Sequence, residues 1–323
     1  MILIDIALVI IGFLLLIKGS DYMVDGASSI ARRLRVSQVI IGLTIVAMGT
    51  SAPELVVSLF SSLTGSAQVA VGNIMGSTIA NVLLIGGVAA MVSPLTMKEN
   101  TVWRELPYSL LAVLAMGLLA NDQLFDGAGE SMLTRSDGLV LLLFFLVFLN
   151  YLFVTAHNDR KRSTIHVDEI EAMPYMKSFI LVVLGITGLI LGGQITIQGA
   201  VGLAELFGLS ENLIGLTIIA VGTSLPELVA SIVASRKGNT DIAIGNIVGS
   251  NIFNILWTLG LTSFVTPIAF SADNTLDISF AMMAILLMFT LLWNGERHKI
   301  DRWQGSILLF VYVSYLGYVI VRG

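Results

Sequence analysis

Two glutamates, Glu54 and Glu227, stand 173 residues apart inside apolar segments that are nearly copies of each other, and neither segment holds a Lys or Arg. The first reads Ile41-Gly-Leu-Thr-Ile-Val-Ala-Met-Gly-Thr-Ser-Ala-Pro-Glu-Leu-Val-Val-Ser-Leu59. The second reads Ile214-Gly-Leu-Thr-Ile-Ile-Ala-Val-Gly-Thr-Ser-Leu-Pro-Glu-Leu-Val-Ala-Ser-Ile232, and 14 of the 19 positions match. An ionised carboxylate at the centre of a bilayer costs from about 2.5–3.5 kcal/mol upward. A proton or a cation arriving from water removes that cost. A carboxylate duplicated with its whole surroundings therefore points to a cation carrier.

The neighbours of these glutamates are oxygen donors. Thr50 and Ser51 precede Glu54 by four and three residues, so all three share one helical side. Asn73, Ser77 and Asn81 form a stripe at spacing four, and so do Asn246, Ser250 and Asn254. All of these groups fall near the middle of their apolar runs, so four packed helices would enclose one polar chamber. Pro53 and Pro226 have no N–H for the carbonyls of Gly49 and Gly222, and membrane helices tolerate freed carbonyls only where they line a site. Hydroxyl, amide, carboxylate and carbonyl are hard donors, of which Ca²⁺ takes about six to eight. No His or Cys lies in these segments, which argues against zinc or copper. Gly42, Gly72, Gly76 and their counterparts read as packing positions. Ser58 and Ser231 read as inert hydroxyls bonded back to their own helices.

The elements that must position these groups are membrane helices. The chain of 323 residues is 56% hydrophobic and 12% charged, against about 25% charge in a soluble domain. Ten apolar runs can each span a bilayer core: 2–18, 37–63, 68–92, 106–120, 138–156, 178–200, 212–234, 241–266, 277–293 and 304–321. Continuous rather than alternating apolar sequence excludes a β-barrel. The first run has no basic leader and carries Asp5, so it reads as a retained helix rather than a signal peptide. With no cysteine there is no disulfide framework. The predicted fold is an all-α polytopic membrane protein of ten helices.

With ten spans, 14 basic residues fall in the connections after odd-numbered helices, while only Arg135 and Arg322 fall on the opposite side. By the positive-inside rule both termini face outward and the linker 157–177 is cytoplasmic, in the cell membrane. The outer connections hold Asp122, Asp126, Glu130, Asp137, Asp273 and Asp277, read as a solvated face. The 173-residue offset extends further: Val71-Gly-Asn-Ile-Met-Gly-Ser-Thr-Ile-Ala-Asn-Val-Leu83 aligns without a gap to Ile244–Leu256. A repeat of five helices, an odd number, must be inverted in the membrane. Two halves, 1–156 and 178–323, would then share a midplane site.

At these residues the chain resembles the sodium/calcium exchanger (cation/calcium antiporter) superfamily. Its two repeat signatures are matched by Gly49-Thr-Ser-Ala-Pro-Glu54 and Gly222-Thr-Ser-Leu-Pro-Glu227, each followed by Gly-Asn-Ile-x-Gly-Ser. The resemblance covers the whole ten-helix layout. It implies antiport of Ca²⁺ against Na⁺ by alternating access, with no cofactor and no ATP hydrolysis. It also implies that Glu54, Glu227, Thr50 and Thr223 hold Ca²⁺. The carbonyls of Ala47 and Ala220, with Ser51, Ser77, Ser224 and Ser250, would complete the Na⁺ positions. Asn81 and Asn254 would close the centre, and the first and sixth helices would slide across the other eight. Some relatives have aspartate where this chain has Asn254. Two carboxylates here balance one Ca²⁺ or two monovalent ions, which leaves Na⁺ and H⁺ both open as counter-ion.

Other classes fit less well. A proton-coupled exchanger, or a carrier of Mg²⁺ or Mn²⁺, suits the same scaffold. A channel suits inverted halves around a closed site less well than a carrier does. A hydrolase using Ser51 or Ser224 lacks a His or Lys base at matching depth, so the chain does not read as an enzyme. The expected partners are the lipid bilayer and the transported cations; neither a nucleic acid nor an obligate protein partner is marked.

Overall fold

Apolar sequence becomes helix here wherever proline allows it. In the computed structural model, residues 2–65, 67–123, 127, 131–162, 172–207, 220–294, 296 and 298–322 are described. The helices are α1 (Ile2–Leu34), α2 (Gln38–Thr50), α3 (Ala52–Leu63), α4 (Val69–Val92), α5 (Thr101–Leu119), α6 (Arg135–Arg162), α7 (Tyr175–Leu206), α8 (Ala220–Thr223), α9 (Leu225–Arg236), α10 (Thr240–Val265), α11 (Ala272–Leu291) and α12 (Arg302–Arg322). Pro174 caps the start of α7, while Pro53 and Pro226 sit in the first turns of α3 and α9, where a missing N–H costs nothing. Pro94 and Pro267 follow the ends of α4 and α10.

Eight of the described helices are long and apolar enough to cross a membrane, and α2 with α3, bent by 45°, makes a ninth candidate. Of the seventh expected run, 212–234, the stretch 212–219 lies outside the described residues; α8 and α9 are its described part. Residues 163–171 of the linker also lie outside them, as do Asp126 and Glu130. One expected boundary is corrected. The first helix does not stop near residue 18 but continues to Leu34. Past the apolar run it buries Met23, Val24, Ala27 and Ala31, and Asp21 and Asp25 are met by Lys237 at 3.2 and 2.8 Å.

Helix directions follow from which residues touch. Along α1, Gly12 meets Gly192 and Thr196, Gly19 meets Gly185, and Gly26 meets Ser178 and Val182, so α1 and α7 run antiparallel. These contacts are backbone to backbone: a Cβ on Gly19 would lie 2.8 Å from the carbonyl oxygen of Gly185. Small residues permit that approach, and dispersion then replaces a hydrophobic drive that lipid cannot supply. Gly42 and Gly245 cross α2 over α10 in the same close manner. Gly215, the counterpart of Gly42 at the repeat offset, lies outside the described residues.

The connections gather at two ends. At one end β1 (Leu95–Thr96) pairs with β4 (Lys299–Ile300), Lys98 meets Asp241 at 2.5 Å, and Ser37 N–H donates to Asp159 at 3.1 Å. At the other, β2 (Met132–Leu133) pairs with β3 (Ile268–Ala269), and Thr275 donates to Asn121 at 2.6 Å. The central helices are α10 and α4, whose most apolar windows are 94% and 78% buried, while those of α1, α6 and α12 are 17–22% buried and face outward. The two most enclosed helices are the two that carry Gly-Asn-Ile-x-Gly-Ser.

Candidate cation site

Each glutamate is delivered by a broken helix. Ser51 lies between α2 and α3 with φ −85° and ψ 7°, and Ser224 lies between α8 and α9 with φ −88° and ψ 5°. These angles fall in the bridge region, where the chain turns without forming another helical residue. The turns occur where Pro53 and Pro226 withhold their donors. Glu54 and Glu227 thus occupy the first turns of α3 and α9, at the positive end of a helix dipole, which favours a carboxylate by about 0.3–2 kcal/mol.

Both glutamates are fully buried, 0% exposed. One oxygen of each is held by a serine. Ser51 donates to Glu227 Oε1 at 2.9 Å, and Ser77 donates to Glu54 Oε1 at 3.3 Å. Ser77 also receives Asn254 Nδ2 at 3.3 Å and lies 3.3 Å from Ser224 Oγ. Each carboxylate therefore belongs to a hydrogen-bonded group that draws on both halves of the chain, Ser51 with Glu227 in one and Glu54 and Ser77 with Asn254 and Ser224 in the other. Among the described residues, neither forms an ion pair, and no third His, Cys, Asp or Glu joins them.

Five buried oxygens of the candidate site residues have no hydrogen-bond partner: Glu54 Oε2, Glu227 Oε2, Asn81 Oδ1, Asn254 Oδ1 and Ser250 Oγ. Leaving such an atom unsatisfied costs about 1–3 kcal/mol, more when it is charged. Native proteins leave few of them. All five are hard donors and two are carboxylate oxygens, the types that a hard cation takes. Asn81 opens one π-helical turn (Asn81–Ile85) and Asn254 lies in another (Phe253–Leu259). Such turns widen the helix and re-aim side chains, often at functional sites.

A second layer fixes the first. Asn246 accepts from Thr50 at 3.0 Å and donates to Ser231 Oγ at 3.0 Å and to the Glu227 carbonyl at 3.3 Å. Its counterpart Asn73 accepts from Thr223 at 3.4 Å and donates to Ser58 Oγ at 3.3 Å and the Glu54 carbonyl at 3.5 Å. Ser58 and Ser231 are thus acceptors in these braces rather than the inert hydroxyls expected. Asn251, which accepts from Asn81 Nδ2 at 3.0 Å, has no sequence signal in the repeat, because Thr78 occupies the matching position. The carbonyl of Ala47 accepts Ser51 N–H at 3.0 Å and lies 3.3 Å from Thr50 Oγ1; with the Thr50 proton given to Asn246, its second lone pair is open to an ion. Ala220 opens α8.

A family profile described as sodium/calcium exchanger protein matches residues 4–154 and 177–321. The chain belongs to the sodium/calcium exchanger family. Its members are transporters, not enzymes. The inner membrane protein YrbG of Escherichia coli is 37% identical, with 96% of this chain and 95% of that one covered. The sodium/calcium exchanger MaX1 of Methanosarcina acetivorans is 34% identical, with 98% of each covered. The solved structure of the sodium/calcium exchanger from Methanococcus jannaschii has a TM-score of 0.82 and 30% identity, covering 98% of this chain and 99% of that one. The exchanger fold of this helical membrane protein is thereby established.

Proposed function

We propose that this exchanger expels Ca²⁺ from the cytoplasm in return for Na⁺ by alternating access, with Glu54 and Glu227 holding the transported ion. The observation that carries the reading is the pair of fully buried carboxylates, each with one oxygen bonded to a serine and the other bonded to nothing. In this reading Thr50 and Thr223 complete the Ca²⁺ position. Ser51, Ser77, Ser224 and Ser250, with the carbonyls of Ala47 and Ala220, serve Na⁺, and Asn81 and Asn254 close the centre. Two negative charges are cancelled by one Ca²⁺ or by two Na⁺, so either load removes the desolvation cost of the bare pair.

The halves 1–156 and 178–323 are inverted repeats in this account, joined by the linker 157–177. Its support is the antiparallel course of α1 and α7, and the reciprocal braces Thr50–Asn246 and Thr223–Asn73. The end carrying Lys98, Lys237 and Lys299 is the cytoplasmic one by the positive-inside rule, which puts both termini outside. The glycine-lined contact of α1 with α7 lets that pair move as a unit against the rest.

The test is Ca²⁺ uptake into proteoliposomes under imposed gradients. An outward Na⁺ gradient is expected to drive Ca²⁺ accumulation, and an imposed pH gradient alone is not. Accumulation that follows the pH gradient and ignores Na⁺ would assign H⁺ as the counter-ion instead.

A further inference from the structure

On the face where β1 meets β4, away from the exchange carboxylates, the start of α2, the start of α5 and the end of α6 enclose a cavity of about 420 Å³. Ser37, Asn100, Thr101, Glu105 and Asp159 line it with oxygen donors, and Lys98 is its basic residue. Glu105 is only 3% exposed. The Tyr151 hydroxyl donates to its Oε1, while its Oε2 is buried with no hydrogen-bond partner. Among the described residues no ion pair neutralises it. Lys98 does not do so, because its ammonium is engaged by Asp241 at 2.5 Å. Among the described residues, Asp159 accepts a neutral backbone N–H, that of Ser37, at 3.1 Å and joins no ion pair.

Two carboxylates thus face one cavity whose lysine is already matched. Glu105 is not an echo of the exchange site, since its counterpart at the 173-residue offset is Ile278. The π-helical turn Thr101–Glu105 that carries it stands just before Pro107, which has no N–H to continue the regular ladder. The lining offers hard oxygens and neither His nor Cys, a set for Ca²⁺-like rather than thiophilic ions.

We propose that this cavity is a second divalent-cation site, held by Glu105 and Asp159 and separate from the exchange site. At roughly 30 Å³ per water, the cavity accommodates an ion with much of its hydration shell. Sparse protein ligation of that kind corresponds to weak binding, of the order of 10⁻⁴–10⁻³ M. An ion there would tie Ser37, at the start of α2, to the end of α6. The site would thereby brace the helix that carries Thr50 from the cytoplasmic end.

Mn²⁺ binding to the full chain in detergent, read by the loss of the free-ion electron paramagnetic resonance signal, tests this without reference to transport. The background is Glu54→Gln with Glu227→Gln, which silences the exchange carboxylates. One Mn²⁺ per chain is expected to bind this variant at millimolar concentration. Adding Glu105→Gln, or separately Asp159→Asn, is expected to weaken it at least tenfold. Gel filtration checks that each variant is folded, and Asp159→Asn, at a partly exposed helix end, carries the test if Glu105→Gln does not fold. The proposal is overturned if the background variant binds no Mn²⁺, or if its binding is unchanged by the second substitution.

Discussion

At the scale of single residues, the exchange site is a balance between satisfied and unsatisfied oxygens. Glu54 and Glu227 each spend one oxygen on a serine and keep one free. Glu54→Gln or Glu227→Gln keeps the shape and removes a charge that binds the cation. Each is expected to lower Ca²⁺ flux by about 100-fold, since every 1.4 kcal/mol of lost ion binding is tenfold; near-normal flux in either variant, with unchanged gel filtration, would refute the assignment. Asn246→Ala removes a brace, leaving Thr50 and Ser231 short of a partner. It is expected to cost about 1–3 kcal/mol of stability, seen as a lower unfolding temperature in detergent, together with weaker Ca²⁺ dependence of transport. The duplicated carboxylates, Ser77 and the two asparagine stripes were legible in sequence because repetition and helical spacing both mark them. Asn251 was not, because it interrupts the repeat, and the roles of Ser58 and Ser231 depend on a partner helix that spacing along their own helix does not reveal.

At the scale of elements, proline and glycine decide where helices break and where they touch. Pro53 and Pro226 were expected to loosen the helices at the signatures, and the chain turns at Ser51 and Ser224, beside them. The length of α1 was misjudged from hydropathy because its second half is held by packing and by Lys237 rather than by lipid. The π-helical turns at Asn81 and Asn254 also lay beyond sequence reasoning, since nothing in composition distinguishes them from α-helix. In the α1–α7 crossing, a Cβ on Gly185 would sit 2.5 Å from the backbone nitrogen of Met23. Gly185→Leu must therefore push two backbones apart, an overpacking cost of about 1–3 kcal/mol. The expected result is a lowered unfolding temperature and strongly reduced flux, while Leu184→Ala, on the exposed side of the same helix, changes neither. Equal behaviour of the two variants would show that close approach of α1 and α7 is unimportant.

At the scale of the whole molecule, eight described helices and the bent pair α2–α3 are long and apolar enough to cross a membrane. Lys98, Lys237 and Lys299 meet acidic partners at the end where β1 pairs with β4, and the same end was expected to be cytoplasmic from the count of basic residues. The enclosed helices α4 and α10 carry the polar stripes, and the outward helices α1, α6 and α12 are rich in exposed apolar side chains. That arrangement puts the polar groups of a membrane protein in its interior, where the carboxylate oxygens left without a protein partner call for a cation or a proton from water. The most direct measurement is a crystal of this chain soaked in Sr²⁺, a scattering stand-in for Ca²⁺, with anomalous data collected. A strong peak is expected between α3 and α9, within coordination distance of both Glu54 and Glu227. No peak there, or a map in which each carboxylate is paired with a Lys or Arg, would contradict the account.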